Sequence, residues 1–253
     1  MKVDWQPLEQ EFQRWRQQNL SLKLWWRDDD AVTQTKELDR LTRLSDASGL
    51  PVHLAVIPKF ADASLVRHCA EHSEIIPIVH GWAHANHAPA DQKKAEFGHQ
   101  RADLINDAER GIVRLRGLFG DDLLPVFTPP WNRVDAGLLP QLAGLGYKAL
   151  STFTPRRAPL AARGLAQINT HIDPIHWKAG GGLVEPDDIV AVVTANLTAR
   201  RKGKTDNDEP LGILTHHLVH DEAIWAFTES LIKTLLDGGA DAVDLRKSGA
   251  ILP

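Results

Sequence analysis

Three carboxylates stand in a row, Asp28-Asp29-Asp30, just after the mostly apolar stretch 22–26 and Arg27. Two histidines, His80 and His84, follow the apolar run 75–79, and His87 lies just beyond. Three more, His216, His217 and His220, follow the apolar run 211–215. Two imidazoles and one carboxylate are a ligand set for catalytic zinc with a position left for water. The same set suits iron, cobalt or nickel. A second carboxylate beside the ligand can take a proton from that water, and Asp29 with Asp30 offers one acid to bind and one to act as base. Neighbours on an extended chain point to opposite sides, so a turn has to bring both acids to one ion. Four-residue spacing on a helical turn would put His80 and His84 on one side. His84 and His87, also one turn apart, form an alternate pair. A histidine after the last run can protonate a leaving group, a role suited to its ordinary pKa, and both His216 and His217 qualify. Trp131 follows Pro129-Pro130, a stiff segment suited to presenting backbone N–H groups and an aromatic wall. Trp25, Trp26, Trp82 and Trp177 also lie in or beside polar clusters, and aromatic faces stack on sugar rings.

These clusters need elements to carry them, and the apolar pattern supplies a regular alternation. Leu8, Phe12 and Trp15 recur at helical spacing near the start. Strands are expected at 22–26, 52–57, 75–79, 123–127, 149–153, 165–172, 211–215 and 242–245. Helices are expected between them, including a long one over 89–118 and a final one over 223–236, with Asp221 placed to cap it. Alternating strands and helices imply a parallel sheet covered by helices. No G-x-G-x-x-G follows the first strand, which argues against a dinucleotide-binding sheet. The expected architecture is a distorted parallel (β/α) barrel of seven or eight strands, one catalytic domain over 1–253 with the helix of residues 1–20 packed on it. The polar clusters 28–30, 80–87, 129–133, 171–177 and 216–220 each follow a strand. In a parallel barrel those strand ends open on one face, where catalytic residues collect.

Composition narrows the function classes. The net charge is −4, which disfavours electrostatic binding of nucleic acid. The one dense basic run, 200–204, is followed at once by acids and reads as a solvated loop. The single cysteine, Cys69, excludes an intrachain disulfide. No apolar span is long enough for a membrane helix, and the polar N-terminus lacks the core of an export signal. The sequence therefore reads as a cytoplasmic protein with no nucleic-acid or membrane partner, and the tryptophans beside the polar clusters suit a small-molecule or oligosaccharide substrate.

Over residues 24–217 the chain resembles the polysaccharide deacetylases, the NodB-homology, glycoside hydrolase/deacetylase-like fold of carbohydrate esterases. The family's T-F-D-D segment looks like Arg27-Asp28-Asp29-Asp30, and the R-x-D-D register falls on Asp29 and Asp30. The resemblance then implies Asp29 as catalytic base and Asp30 as metal ligand, with Asp28 and Asp29 as the other register. H-[ST]-x-x-H looks like His80-Gly81-Trp82-Ala83-His84, implying both histidines as ligands, with glycine where a hydroxyl would support the loop. R-x-P-P-Y-G looks like 127–132. Trp131 takes the tyrosine's place, its N–H would help hold an oxyanion, and Pro130 and Asn132 flank it. The upstream arginine is missing, and Arg133 is the nearby substitute. D-x-x-D-W looks like Asp173-Pro174-Ile175-His176-Trp177, and L-x-H looks like Leu214-Thr215-His216, implying His216 as catalytic acid. Asp173, Trp177 and Trp82 would contact substrate. What this implies is a metal-dependent hydrolase that removes an acetyl group from an N- or O-acetylated saccharide. The expected ion is Zn2+, with Co2+, Fe2+ or Ni2+ as substitutes. The competing expectations are a cyclic amide or ureide hydrolase on the same fold, and a non-catalytic saccharide-binding barrel.

Overall fold

The structure is a computed structural model that describes residues 2–247. Its strands are β1 Leu22–Ala31, β2 Val52–Val56, β3 Ile75–His80, β4 Val126–Thr128, β5 Ala149–Leu150, β6 Leu160–Ala162, β7 Leu165–Gln167, β8 Leu211–Thr215 and β9 Ala240–Ala242. The helices are α1 Gln6–Gln17, α2 Lys36–Ser48, α3 Ala63–Glu71, α4 Leu104–Phe119, α5 Leu139–Gly144, α6 Pro186–Arg201 and α7 Glu222–Asp237. The sheet runs β6-β7-β5-β4-β3-β2-β1-β8, with β9 also on β1, and all pairings are parallel except β6 with β7. The ladder leaves a seam between β7 and β8. The chain beyond β7 crosses it: the His171 N–H donates to the Gly212 carbonyl at 2.8 Å, and Leu214 N–H to Ile172 O at 2.8 Å. The result is the distorted parallel barrel that the alternation implied.

Alternation along β1 explains how one strand can be buried on both faces. Leu24 and Trp26 join the layer between sheet and helices, with Leu38 and Leu41 of α2 and Trp225 and Leu231 of α7. Trp25 packs in a second cluster with Ala55, Ile76, Ile78, Val126, Ala149, Ala166 and Ile168. Those residues come from β1 to β5 and β7 and its extension, so this second cluster is the filled barrel interior. By the same alternation Arg27 and Asp29 continue the inner face of β1 and His80 that of β3. Asp28 falls on the outer face.

Some expected elements moved. The helix expected over 89–118 begins only at Leu104. Ahead of it Glu96 and Phe97 are buried, and Phe97 bridges to Val134, so this stretch is a loop wrapped over the barrel mouth. The last strand is Ala240–Ala242, a little earlier than its apolar pattern suggested. The short strand β6 has exposed or half-buried residues and no alternation to announce it.

Two features of this framework carry predictions. At Gly212 an added Cβ would press on Trp25 Nε1 and lie 2.6 Å from Asn169 O and 2.8 Å from Thr170 Cα. Gly212→Ala should therefore cost about 1–3 kcal/mol in denaturant unfolding, whereas Gly117→Ala, inside α4 with nothing near its Cβ position, should stabilise by roughly 0.5–1 kcal/mol. Buried His53 bonds through Nδ1 to Trp26 O at 3.0 Å and accepts the Leu245 N–H on Nε2 at 3.1 Å, which requires the neutral ring. Burial, opposed by the Trp26 carbonyl, pushes its pKa down to about 4. A depressed histidine contributes stability above its unfolded pKa and loses it as pH falls toward the folded value. Stability of the native protein should thus drop between about pH 6.5 and 4, by up to roughly 3 kcal/mol from this group. In His53→Asn, calorimetry over that range should show a correspondingly shallower slope.

Candidate metal centre

The end of β1 gives each of its three acids a different partner. Its register against β2 slips between Asp28 and Ala31, a bulge with one extra residue on β1. Asp30 sits at this bulge with φ +77, in the left-handed region. That distortion is the turn required for Asp29 and Asp30 to serve one mouth.

Asp28 points into the outer layer. It accepts from the His217 backbone N–H at 3.0 Å and from the Thr215 hydroxyl at 2.5 Å, and pairs with His217 Nδ1 at 2.5 Å. Both residues of that pair are buried, and neither joins the imidazoles of His80 and His84. Burial alone would raise the Asp28 pKa, but His217 and Thr215 outweigh it and hold the carboxylate low. Asp29 lies against Arg27, Nε to Oδ1 at 2.9 Å and a second N–H to Oδ2 at 3.0 Å. The guanidinium is fully buried and also donates to Asn132 Oδ1 at 2.8 Å and Ser151 Oγ at 2.8 Å. Arg133, the expected substitute for a missing arginine, turns instead to the Lys94 carbonyl at 2.6 Å. Arg27, which the R-x-D-D register used only to place the acids, is thus the partner of Asp29, and the alternation of β1 points both to the same face.

Asp30 Oδ1 lies 3.1 Å from His80 Nε2 and 3.3 Å from His84 Nε2. Among the described residues, these three form a group able to hold a metal ion, their ligand atoms all within 4.8 Å of one another. A tetrahedral ion with bonds of about 2.1 Å has ligand atoms about 3.4 Å apart, and the two edges at Asp30 match that spacing. Asp30 Oδ1 is buried and lies between the two imidazole nitrogens, with no other well-directed donor on it, which leaves it able to serve a cation. His80 bonds through Nδ1 to Thr128 O at 3.1 Å, leaving Nε2 toward Asp30. Burial would raise the Asp30 pKa, yet His80, His216 and His84 hold it well below the usual range. His80 is depressed by burial but raised overall by Asp29 and Asp30, and His84 is lowered by burial and by His80.

The histidine pair is not on a helix. His80 ends β3, and His84 sits in a left-handed turn at φ +52, with ring centroids 5.3 Å apart. The turn is held by Glu96, whose buried carboxylate accepts the backbone N–H groups of Trp82, Ala83 and His84 at 3.2, 2.7 and 3.2 Å. No spacing rule pointed to Glu96. Trp131 lies beside His84 at 4.2 Å, and it and Asn132 both take φ +57. Four non-glycine residues with positive φ, Asp30, His84, Trp131 and Asn132, therefore meet at one mouth, a concentration of backbone strain typical of functional sites.

On the opposite rim the Trp177 indole N–H donates to Asp173 Oδ2 at 2.8 Å, and its ring meets the His216 ring edge-on at 4.8 Å. Burial pushes the Asp173 carboxyl up, against the opposing pull of His216. Trp82 and His87 are not at the ion triangle. They line a neighbouring groove with Lys59 and Arg110, and the Arg110 guanidinium stacks on Trp82 at 4.1 Å.

No protein-family profile matches the sequence, and no curated protein sequence matches it. Solved structures do share the fold. A T48 deacetylase with substrate is 16% identical, with a TM-score of 0.55 over 92% of this chain and 93% of that one. A family 4 carbohydrate esterase from Streptomyces lividans in complex with acetate is 15% identical, with a TM-score of 0.54 over 89% and 94%. A family 4 acetyl xylan esterase from Clostridium thermocellum in complex with cobalt is 12% identical, with a TM-score of 0.51 over 88% of each chain. The chain shares its fold with these deacetylase and carbohydrate-esterase structures. Among the described residues no helix is long and apolar enough to cross a membrane.

The roles of the two arginines can be separated. Arg27→Met leaves Asp29 buried without its cation and should cost about 3–5 kcal/mol. Arg133→Ala removes one exposed contact and should change stability by less than about 0.5 kcal/mol. Equal effects in urea unfolding would contradict the assignment of Arg27 as the partner of Asp29.

Proposed function

We propose that this protein is a metal-dependent deacetylase acting on an N- or O-acetylated saccharide, with the chain 1–253 working as one catalytic domain. The observation that carries the reading is the Asp30–His80–His84 triangle with a second, arginine-held carboxylate beside it at the barrel mouth. Two imidazoles and one carboxylate favour zinc, and cobalt suits the same donors.

A divalent ion held there would acidify a water and polarise the acetyl carbonyl. Asp29 takes the proton of the attacking water, and the Arg27 fork keeps its carboxylate oriented toward the mouth. The backbone N–H of Trp131 donates to the oxygen on which negative charge develops. His216 gives its proton to the departing amine or alcohol, leaving acetate. Asp173 supports His216 electrostatically, and Trp177 and Trp131 offer aromatic faces to the sugar. Asp28 and His217 brace the strand ends rather than touch substrate.

The test is acetate release from acetylated oligosaccharides by zinc- or cobalt-loaded protein. Asp29→Asn and His216→Ala should each lower kcat by roughly 10²–10⁴-fold with the metal retained. Turnover of imides or ureides without acetate release would contradict the reading, as would full activity in either variant.

A further inference from the structure

We propose that Glu96 is the positioning residue of the metal loop, and that position 81 is glycine because the Glu96 carboxylate occupies the space a side chain there would need. The inference rests on the metal-site reading above. Glu96 lies in a stretch whose helical pattern promised only an outer helix. Instead its side chain is buried and its two oxygens receive three successive N–H groups, those of Trp82, Ala83 and His84. These donors belong to the turn that brings His84 to Asp30. A carboxylate spanning three consecutive amides fixes that turn in both distance and direction, and it can hold His84 at its unusual φ of +52.

Gly81 completes the arrangement. Its φ is +55, and an added Cβ would press on Glu96 Oε2 and lie 2.5 Å from Pro130 Cδ. A side chain at 81 and the Glu96 carboxylate compete for the same space. The contact with Pro130 also seats the metal loop directly on the turn that carries Trp131, whose ring touches His84. A serine at 81, the residue that the motif would favour, should therefore damage this site rather than repair it.

The test compares native protein with Glu96→Gln, Gly81→Ser and the control Glu11→Gln. Glu11 is a buried carboxylate of α1 bound to Arg14 and Arg201. Two readings are taken: exchange of the Trp82, Ala83 and His84 amides in metal-free protein by NMR, and Co2+ affinity with its visible spectrum. Glu96→Gln should speed exchange of those amides roughly tenfold or more and weaken Co2+ binding about 10–100-fold. Gly81→Ser should also weaken Co2+ binding. Glu11→Gln should lower Tm and leave Co2+ affinity unchanged. If Glu96→Gln does not fold, Glu96→Asp, which withdraws the oxygens by one methylene, is read in the same way. Unchanged protection or unchanged Co2+ affinity in the Glu96 variant overturns the proposal, as does an equal loss in Glu11→Gln or tighter binding in Gly81→Ser. A native protein that binds no Co2+, yet loses amide protection in Glu96→Gln, would refute the metal-site reading while leaving Glu96 as the support of the loop.

Discussion

Three consecutive carboxylates cannot be held at the end of one buried strand unless each is given its own compensation. An uncompensated buried carboxylate costs several kcal/mol or takes up a proton. Here the separation is made by strand geometry. Pleating sends Asp28 outward to His217 and Thr215 and Asp29 inward to Arg27, and the bulge at Asp30 re-aims the third acid toward two imidazoles. Almost everything else at the site serves this partition. β8 supplies Thr215 and the turn with His217, β3 supplies His80, and the strained 130–132 turn supplies Asn132 for Arg27.

The same partition assigns different work to similar residues. A carboxylate paired with a buried histidine on the outer face stitches β1 to the turn after β8. A carboxylate gripped by a planar guanidinium stays fixed in direction. The carboxylate whose oxygen lies between two histidine nitrogens is the one suited to a cation. Likewise His217 is consumed by Asp28, while His216, one residue earlier, faces Trp177 and the mouth. One-residue differences in register decide which side chain faces the mouth.

Much of this was legible in the sequence because it follows from periodicity. Apolar runs marked most strands, and polar clusters after them marked the mouth. The four-residue spacing of His80 and His84 marked a pair, though for the wrong reason, since a left-handed turn rather than a helix brings the rings together. What stayed hidden depends on tertiary packing. Glu96 looks like one more polar residue in the stretch from 91 to 96, and nothing local reveals that its carboxylate is buried against three amides. Arg27 served only to set the register of the acids, because motif comparison looked for the site's arginine near the prolines, whereas the alternation of β1 carries Arg27 beside Asp29 and Asn132. The bulge at Asp30 follows from mismatched register between two strands, which neither strand shows alone. The fold itself leaves the reaction open, since one architecture serves many chemistries; the site's own donors carry the functional reading.

The most direct measurement of the central claim is X-ray absorption spectroscopy on the zinc-loaded protein, with metal content determined for native protein and His84→Ala. The account predicts one ion per chain, bound by two imidazoles and oxygen donors at about 2.0–2.2 Å, with occupancy largely lost in the variant. An ion with no imidazole ligands, or full occupancy in a well-folded His84→Ala protein, would contradict it.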